Sequence, residues 1–253
     1  MIVGNYVIHQ VKPKDLQVRP VIVWLPPSYN EALDRRYPVL YMHDGQQIFD
    51  PDTSTWGQDW EVDEWCDQLI RAGDLQEIIV VGIYSTTERY EEYGASARAG
   101  AYTRFVIDEL KSMIDTTYRT LPDRAHTAVA GSSMGGGLSF YMAWTRPDIF
   151  FGAACLSSAF SYKQGEIIFD LVNHATAWPN LRFYLHCGDG DELEQLLMKD
   201  LERMEESLAA KGWLDQPAVC VERAPGEKHN EAAWARYTGT WLKFLFGSDR
   251  RNE

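Results

Sequence analysis

A serine set between small residues at a strand-to-helix junction is the most reactive arrangement this chain offers. The run Ala128-Val129-Ala130-Gly131-Ser132-Ser133-Met134-Gly135-Gly136 carries an apolar strand into a Gly-x-Ser-x-Gly pentapeptide and then into a helical pattern. In that geometry Ser133 sits on a sharp turn with its hydroxyl held above the sheet edge, and Gly131 and Gly135 let backbone pass closely. The helix beyond it aims N–H groups and the positive end of its dipole at the same point, which suits a developing oxyanion. A phosphate loop is a competing glycine-rich reading. It needs a longer glycine spacing closed by Lys and Ser or Thr, whereas Gly135-Gly136-Gly137 is followed by Leu138 and Ser139, so no cation meets a phosphate. An inert structural turn is the other reading, and only the partners of Ser133 decide against it.

Serine is a poor nucleophile at neutral pH and needs a histidine base that an acid orients. Nucleophile-elbow enzymes keep the order Ser, acid, His, so of six histidines His9, His43 and His126 come too early. His186 falls inside an apolar strand-like run and reads as a core residue, and His174 sits in a polar connection with no strand before it. His229, in Gly226-Glu227-Lys228-His229-Asn230, follows the last strand pattern and opens the last helix, which makes it the candidate base. The acid is expected in Gly188-Asp189-Gly190-Asp191-Glu192, after the penultimate strand. Asp191 is the choice because it stands far enough beyond Cys187 for the chain to turn back over the sheet. Competing roles are a plain helix cap at Asp189 or Asp191, and Glu192 as the first helical residue. A calcium loop does not fit this segment, since the glycine and downstream glutamate of the twelve-residue pattern are misplaced. Oxyanion donors are expected at the backbone N–H of Met134 and at that of Gln46, in the loop Tyr41-Met42-His43-Asp44-Gly45-Gln46-Gln47, where a plain turn at Asp44-Gly45 is the alternative.

These residues matter only if the fold gathers them. Strand patterns at 6–11 and 21–25 form an early hairpin, and short apolar runs follow at 39–42, 78–83, 127–130, 153–156, 181–187 and 218–221, each expected to be buried on both faces. Helical patterns lie between them at 59–71, 101–115, 136–145, 192–211 and 231–246, with an apolar stripe at Leu193, Leu196, Leu197, Leu201 and Met204. Strand alternating with helix predicts a mostly parallel eight-stranded sheet covered on both faces, an α/β three-layer sandwich, as one domain over residues 1–253. The hydrophobic fraction of 45% and charged fraction of 24% suit a soluble globular chain. A net charge of −13 leaves nothing to bind a polyanion, so nucleic acid is excluded as a partner. Cys66, Cys155, Cys187 and Cys220 lack metal or redox spacing and read as free thiols. No run reaches membrane-spanning length and no leader pattern opens the chain, so with Met1 as the native start the expectation is a cytoplasmic protein with no membrane partner.

Four stretches together resemble the esterase D-like branch of the α/β hydrolases, which includes feruloyl and acetylxylan esterases, siderophore trilactone esterases and mycolyltransferases. They are Val39-Leu40-Tyr41-Met42-His43-Asp44-Gly45-Gln46, Phe105-Val106-Ile107-Asp108-Glu109-Leu110, Gly131-Ser132-Ser133-Met134-Gly135-Gly136 and His229-Asn230-Glu231-Ala232-Ala233-Trp234. The resemblance implies an α/β-hydrolase fold with little or no cap domain. It implies Ser133 as nucleophile, His229 as base, Asp191 as acid, and Gln46 with Met134 as the oxyanion hole. No metal or organic cofactor is needed for such chemistry. The substrate class it implies is a small-molecule ester, feruloyl or acetyl on a carbohydrate-like alcohol, with a siderophore trilactone as the alternative and a non-catalytic acyl-binding module as the alternative of another class. The brief 157–180 stretch leaves an open groove where Trp56, Trp60, Phe160, Tyr162 and Trp234 are candidates to stack on substrate or to pack, and Trp-rich loops permit a homo-oligomer.

Overall fold

Short runs rich in apolar and β-branched residues build β1 (Asn5–Val11), β2 (Arg19–Leu25), β3 (Val39–His43), β4 (Ile79–Ile83), β5 (Thr127–Ser132), β6 (Gly152–Leu156), β7 (Arg182–Gly188) and β8 (Val219–Ala224). In the computed structural model, which describes residues 1–161 and 166–248, these strands form one sheet in the order β1-β2-β4-β3-β5-β6-β7-β8. The hairpin β1–β2 is antiparallel, β2 also pairs antiparallel with β4, and β3 to β8 run parallel. All C-terminal ends of the parallel strands therefore lie along one edge, where ligands of open α/β sheets bind. Burial on both faces holds for β3 to β7 and fails for β8, whose residues are mostly half-buried because it is an edge strand.

Helices α1 (Val62–Ala72), α2 (Arg89–Glu92), α3 (Ala97–Arg104), α4 (Lys111–Thr117), α5 (Met134–Thr145), α6 (Ile167–His174), α7 (Glu192–Ala210) and α8 (Glu231–Phe246) cover the sheet. Two separate apolar clusters result. Phe105, Phe140, Phe183, Leu197 and Leu201 belong to one, and Trp24, Cys66, Trp234, Trp241 and Leu245 to the other. The sequence pattern had foreseen neither α2 nor α6. The predicted helix at 101–115 begins earlier, where Ser96 accepts the N–H groups of Arg98 and Ala99, and passes through a π-helical turn at Phe105–Leu110. The stripe expected on α7 is rotated: Leu193 and Leu196 are 44% and 58% exposed, while Glu194 is fully buried in line with Leu197, Leu201 and Met204.

Two buried histidines make the fold acid-sensitive. His43 reaches Tyr102 Oη at 3.0 Å, and His186 packs on Tyr237 with ring centroids 4.5 Å apart. Burial pushes each imidazole down to about 4 from an ordinary value of 6.5. Both fold as neutral rings, so the unfolded chain binds more protons below pH 6.5. Their stabilisation is complete above that pH and is lost as pH falls from 6.5 through 4, on the order of 3 kcal/mol for each ring. The thermal midpoint is expected to fall over that window, and His186→Phe is expected to flatten the fall. An unchanged pH profile in that variant counts against the account.

Candidate active site

Ser133 terminates β5 and begins α5 in a conformation L-residues rarely hold, with φ 55° and ψ −126°. The glycines around it are dictated by contact. A Cβ at Gly131 stands 2.8 Å from the Gly135 carbonyl carbon, and one at Gly135 stands 3.3 Å from His43 Cβ. The turn is fastened by Ser133 N–H to the Leu156 carbonyl at 2.9 Å and by Ala159 N–H to the Ser133 carbonyl at 3.0 Å. Ser133 is half-buried at the mouth of the turn.

His229 lies between β8 and α8, immediately before the capping residue Asn230, whose side chain accepts the Ala233 N–H. Its ring meets Trp234 edge to face at 5.1 Å. Its Nδ1 is bonded at 2.6 Å to Glu194 Oε1. Asp191 is therefore not the group that holds this imidazole. Its Oδ1 accepts the Glu194 N–H at 2.9 Å and its Oδ2 the His229 backbone N–H at 2.8 Å. Both oxygens of this short side chain are occupied at the start of α7, whereas Glu194, three residues on and facing inward, reaches the ring. The cap role weighed for Asp191 is the one it performs. Asp189 accepts the Gly226 N–H at 2.5 Å, and Glu192 is the first residue of α7.

The Glu194 carboxylate is held from several sides. Gly188 N–H reaches Oε2 at 2.6 Å and Cys187 Sγ approaches the same oxygen at 3.2 Å. Ser157, held in the left-handed region at φ 44°, also hydrogen-bonds to it and in turn accepts Trp234 Nε1 at 2.9 Å. Burial pushes the Glu194 carboxyl up, and the bonds from His229 and Ser157 outweigh it, so the group stays below its usual range. A charged carboxylate on Nδ1 fixes the proton there and leaves Nε2 free to accept. Ser133 and His229 are linked through β6: Leu156 holds the Ser133 N–H, and its neighbour Ser157 holds Glu194 and Trp234.

The loop after β3 is more than a turn. Asp44 adopts φ 55° and Gly45–Gln47 form a single 3-10 turn. Arg89, at the start of α2, grips Asp44 with two bonds of 2.7 and 2.8 Å. Burial works against the charge on Asp44 and Arg89 outweighs it, holding the carboxyl below its usual range. Gln46 spends its side chain on Ser85, through Nε2 to Ser85 Oγ at 2.7 Å and Ser85 N–H to Oε1 at 3.1 Å. Its backbone N–H, like that of Met134, belongs to the first turn of a helix, where N–H groups lack intrahelical partners.

Sequence reasoning missed Glu194, Arg89 and Ser157. A signal for Glu194 was present: a carboxylate at the 194, 197, 201 spacing stands in line with an inward stripe, three residues after a capping Asp. Of the five aromatics, Trp60, Phe160 and Trp234 are buried packing residues and Trp56 is 74% exposed. Tyr162 lies outside the described residues. Among the described residues no helix is long and apolar enough to cross a membrane.

Comparison with known proteins bears on this geometry. Residues 17–236 match the family described as "Putative esterase". The chain is 28% identical over 229 residues to an endo-1,4-beta-xylanase/feruloyl esterase of Xylanibacter ruminicola, covering 88% of this chain and 29% of that protein. It thus spans under a third of that relative's length. A ferulic acid esterase structure superposes with a TM-score of 0.77 at 23% identity, covering 96% of this chain and 98% of that one. The enterobactin esterase of Shigella flexneri, solved in the presence of enterobactin, gives 0.76 at 18% identity over 96% of this chain and 58% of that one.

Proposed function

This chain belongs to the esterase family, and from that membership we propose that it is a carboxylic-ester hydrolase that works through a serine acyl-enzyme with Ser133 as nucleophile, His229 as base and Glu194 as the acid. The observation that carries the reading is the bond from His229 Nδ1 to the buried Glu194 carboxylate, hung from the same sheet edge as the strained Ser133 turn. His229 Nε2 takes the Ser133 proton as Oγ attacks the ester carbonyl. The tetrahedral oxyanion is met by the N–H groups of Met134 and Gln46, a pair of donors of which one is worth about 2.7–4 kcal/mol of barrier at comparable sites. Collapse expels the alcohol, which takes the proton from His229. Water then attacks the acyl carbonyl by the same route in reverse. The test is labelling with a fluorophosphonate: the protein takes up the probe and the modified peptide contains Ser133. A protein that stays unlabelled, with esters bound but not cut, is the non-catalytic acyl-binding module instead.

For substrate, the reading is a feruloyl or acetyl ester of a carbohydrate-like alcohol, supported by the 28% identical feruloyl esterase relative and by an exposed aromatic. Trp56 rides on a loop pinned to the oxyanion segment, since Gln47 Oε1 accepts Ser54 Oγ at 2.7 Å and the Thr55 N–H at 2.8 Å. Its exposed indole is the candidate to stack on a phenolic acyl group or a sugar. Trp56→Ala is expected to raise KM for methyl ferulate about 2- to 10-fold, the loss of one aromatic contact, with p-nitrophenyl acetate unaffected. A panel of methyl ferulate, acetylated xylo-oligosaccharides and a catecholate trilactone tests the class. Cleavage of the trilactone alone overturns the carbohydrate-ester reading.

A further inference from the structure

Ester hydrolysis makes no use of a group of carboxylates at the start of α1. Asp59, Asp63 and Glu64 each offer an oxygen within 4.8 Å of the others. Asp63 is fully buried. Its Oδ2 accepts the Val3 N–H at 2.5 Å, but its Oδ1 and Glu64 Oε2 are both shut from solvent and meet no donor among the described residues. The Glu64 carboxyl stands beside that of Asp63, so that without a shared proton or a cation, acceptor faces acceptor. The helix dipole favours negative charge there but supplies no hydrogen to these two oxygens.

We propose that Asp59, Asp63 and Glu64 form a binding site for a hard divalent cation of the calcium class. Every ligand atom is an oxygen, as calcium and magnesium prefer, and no sulfur or imidazole competes. Calcium–oxygen bonds of about 2.3–2.6 Å put ligands on opposite sides of the ion about 4.6–5.2 Å apart, and the 4.8 Å spread of this cluster fits one ion between them. Asp59 also lines a cleft of about 480 Å³ bounded by Gln58, Glu61 and Arg236, through which the ion arrives and water completes its shell. The site is structural and braces the catalytic edge: Trp60 N–H holds the Gln47 carbonyl at 3.1 Å and Val62 N–H the Ile48 carbonyl at 3.1 Å, on either side of Glu61. An ion there ties the N-terminal strand, through Val3, and the oxyanion loop to one helix end.

The experiment strips the full chain with EDTA and titrates it with Tb³⁺, Ca²⁺ and Mg²⁺. Tb³⁺ emission excited through Trp60 and Trp65 is expected, with displacement by Ca²⁺. Saturating Ca²⁺ is expected to raise the thermal midpoint by about 3–6 °C. Asp63→Asn and Glu64→Gln are each expected to weaken binding at least about tenfold and to remove the shift, with the metal-free midpoint unchanged or higher, while Glu202→Gln on α7 binds as the parent does. Asp59→Asn carries the test if Asp63→Asn does not fold. No Ca²⁺-dependent shift at millimolar metal means the two carboxyls share a proton, and a shift that survives all three substitutions places the ion elsewhere; either result overturns the proposal. None of these readings depends on which residues hydrolyse the ester.

Discussion

Ser133→Ala is expected to lower kcat by at least about 10⁴-fold on any ester the protein cleaves, and to abolish fluorophosphonate labelling, while leaving the folded state in place. The size follows from what the substitution deletes. Without Oγ there is no acyl-enzyme, and only the oxyanion donors and substrate positioning remain. Alanine keeps a Cβ at φ 55°, so the turn stays as strained as with serine, and the variant isolates chemistry from stability. Ser133→Gly separates the two in the other direction. Glycine adopts positive φ freely, so that variant is expected to be equally inactive and more stable by about 1–3 kcal/mol, a rise of a few degrees in thermal midpoint. Retention of a tenth or more of the parental kcat in Ser133→Ala excludes the nucleophile assignment.

Glu194→Gln is expected to cost about 10³–10⁴ in kcat with little change in KM. A glutamine can present its NH₂ to the ring, and Nδ1 then accepts instead of donating. The proton moves to Nε2, the nitrogen that must take the Ser133 proton. The glutamine's single amide oxygen, then at the Oε2 position, still accepts the Gly188 N–H, so the loop after β7 keeps its anchor. Asp191→Asn is the internal comparison. Asp191 accepts two backbone N–H groups and no side chain of the triad; an amide retains one of those bonds and loses the other. The expected result is a stability loss of about 0.5–2 kcal/mol, typical of a damaged helix cap, with kcat within about tenfold of the parent. If Asp191→Asn proves as damaging to kcat as Glu194→Gln, with stability spared, Asp191 is the acid after all.

How far each part could be read in advance depended on the distance over which its cause acts. All eight strands were visible because each is a local run of apolar residues, and the early hairpin was visible because a polar, proline-containing turn separates two such runs. The Ser133 turn was legible for the same reason, as its glycines sit within two residues of it. Glu194 was not, because its role is set by a helix face and by His229, thirty-five positions away. The apolar residues Leu193 and Leu196 drew the stripe towards the wrong side of α7, and only the packed molecule shows that the inward position is charged. Arg89 was hidden likewise: it lies on a four-residue helix too short to have a period, and its partner Asp44 is forty-five positions upstream. Short-range chemistry was written in short-range pattern, while the residues that orient it were chosen by tertiary neighbours.

The proposed nucleophile and the proposed base are suspended from strands of unequal security. Ser133 follows β5, deep in the sheet, whereas His229 follows β8, the half-buried border strand whose outer flank pairs with no further strand among the described residues. Border elements detach at lower free energy than the interior. A local opening of the β8 border, short of unfolding the core that α8 helps to build, is thus expected to carry the proposed base away from an undisturbed proposed nucleophile, so activity is expected to fade under heat or denaturant before the core melts.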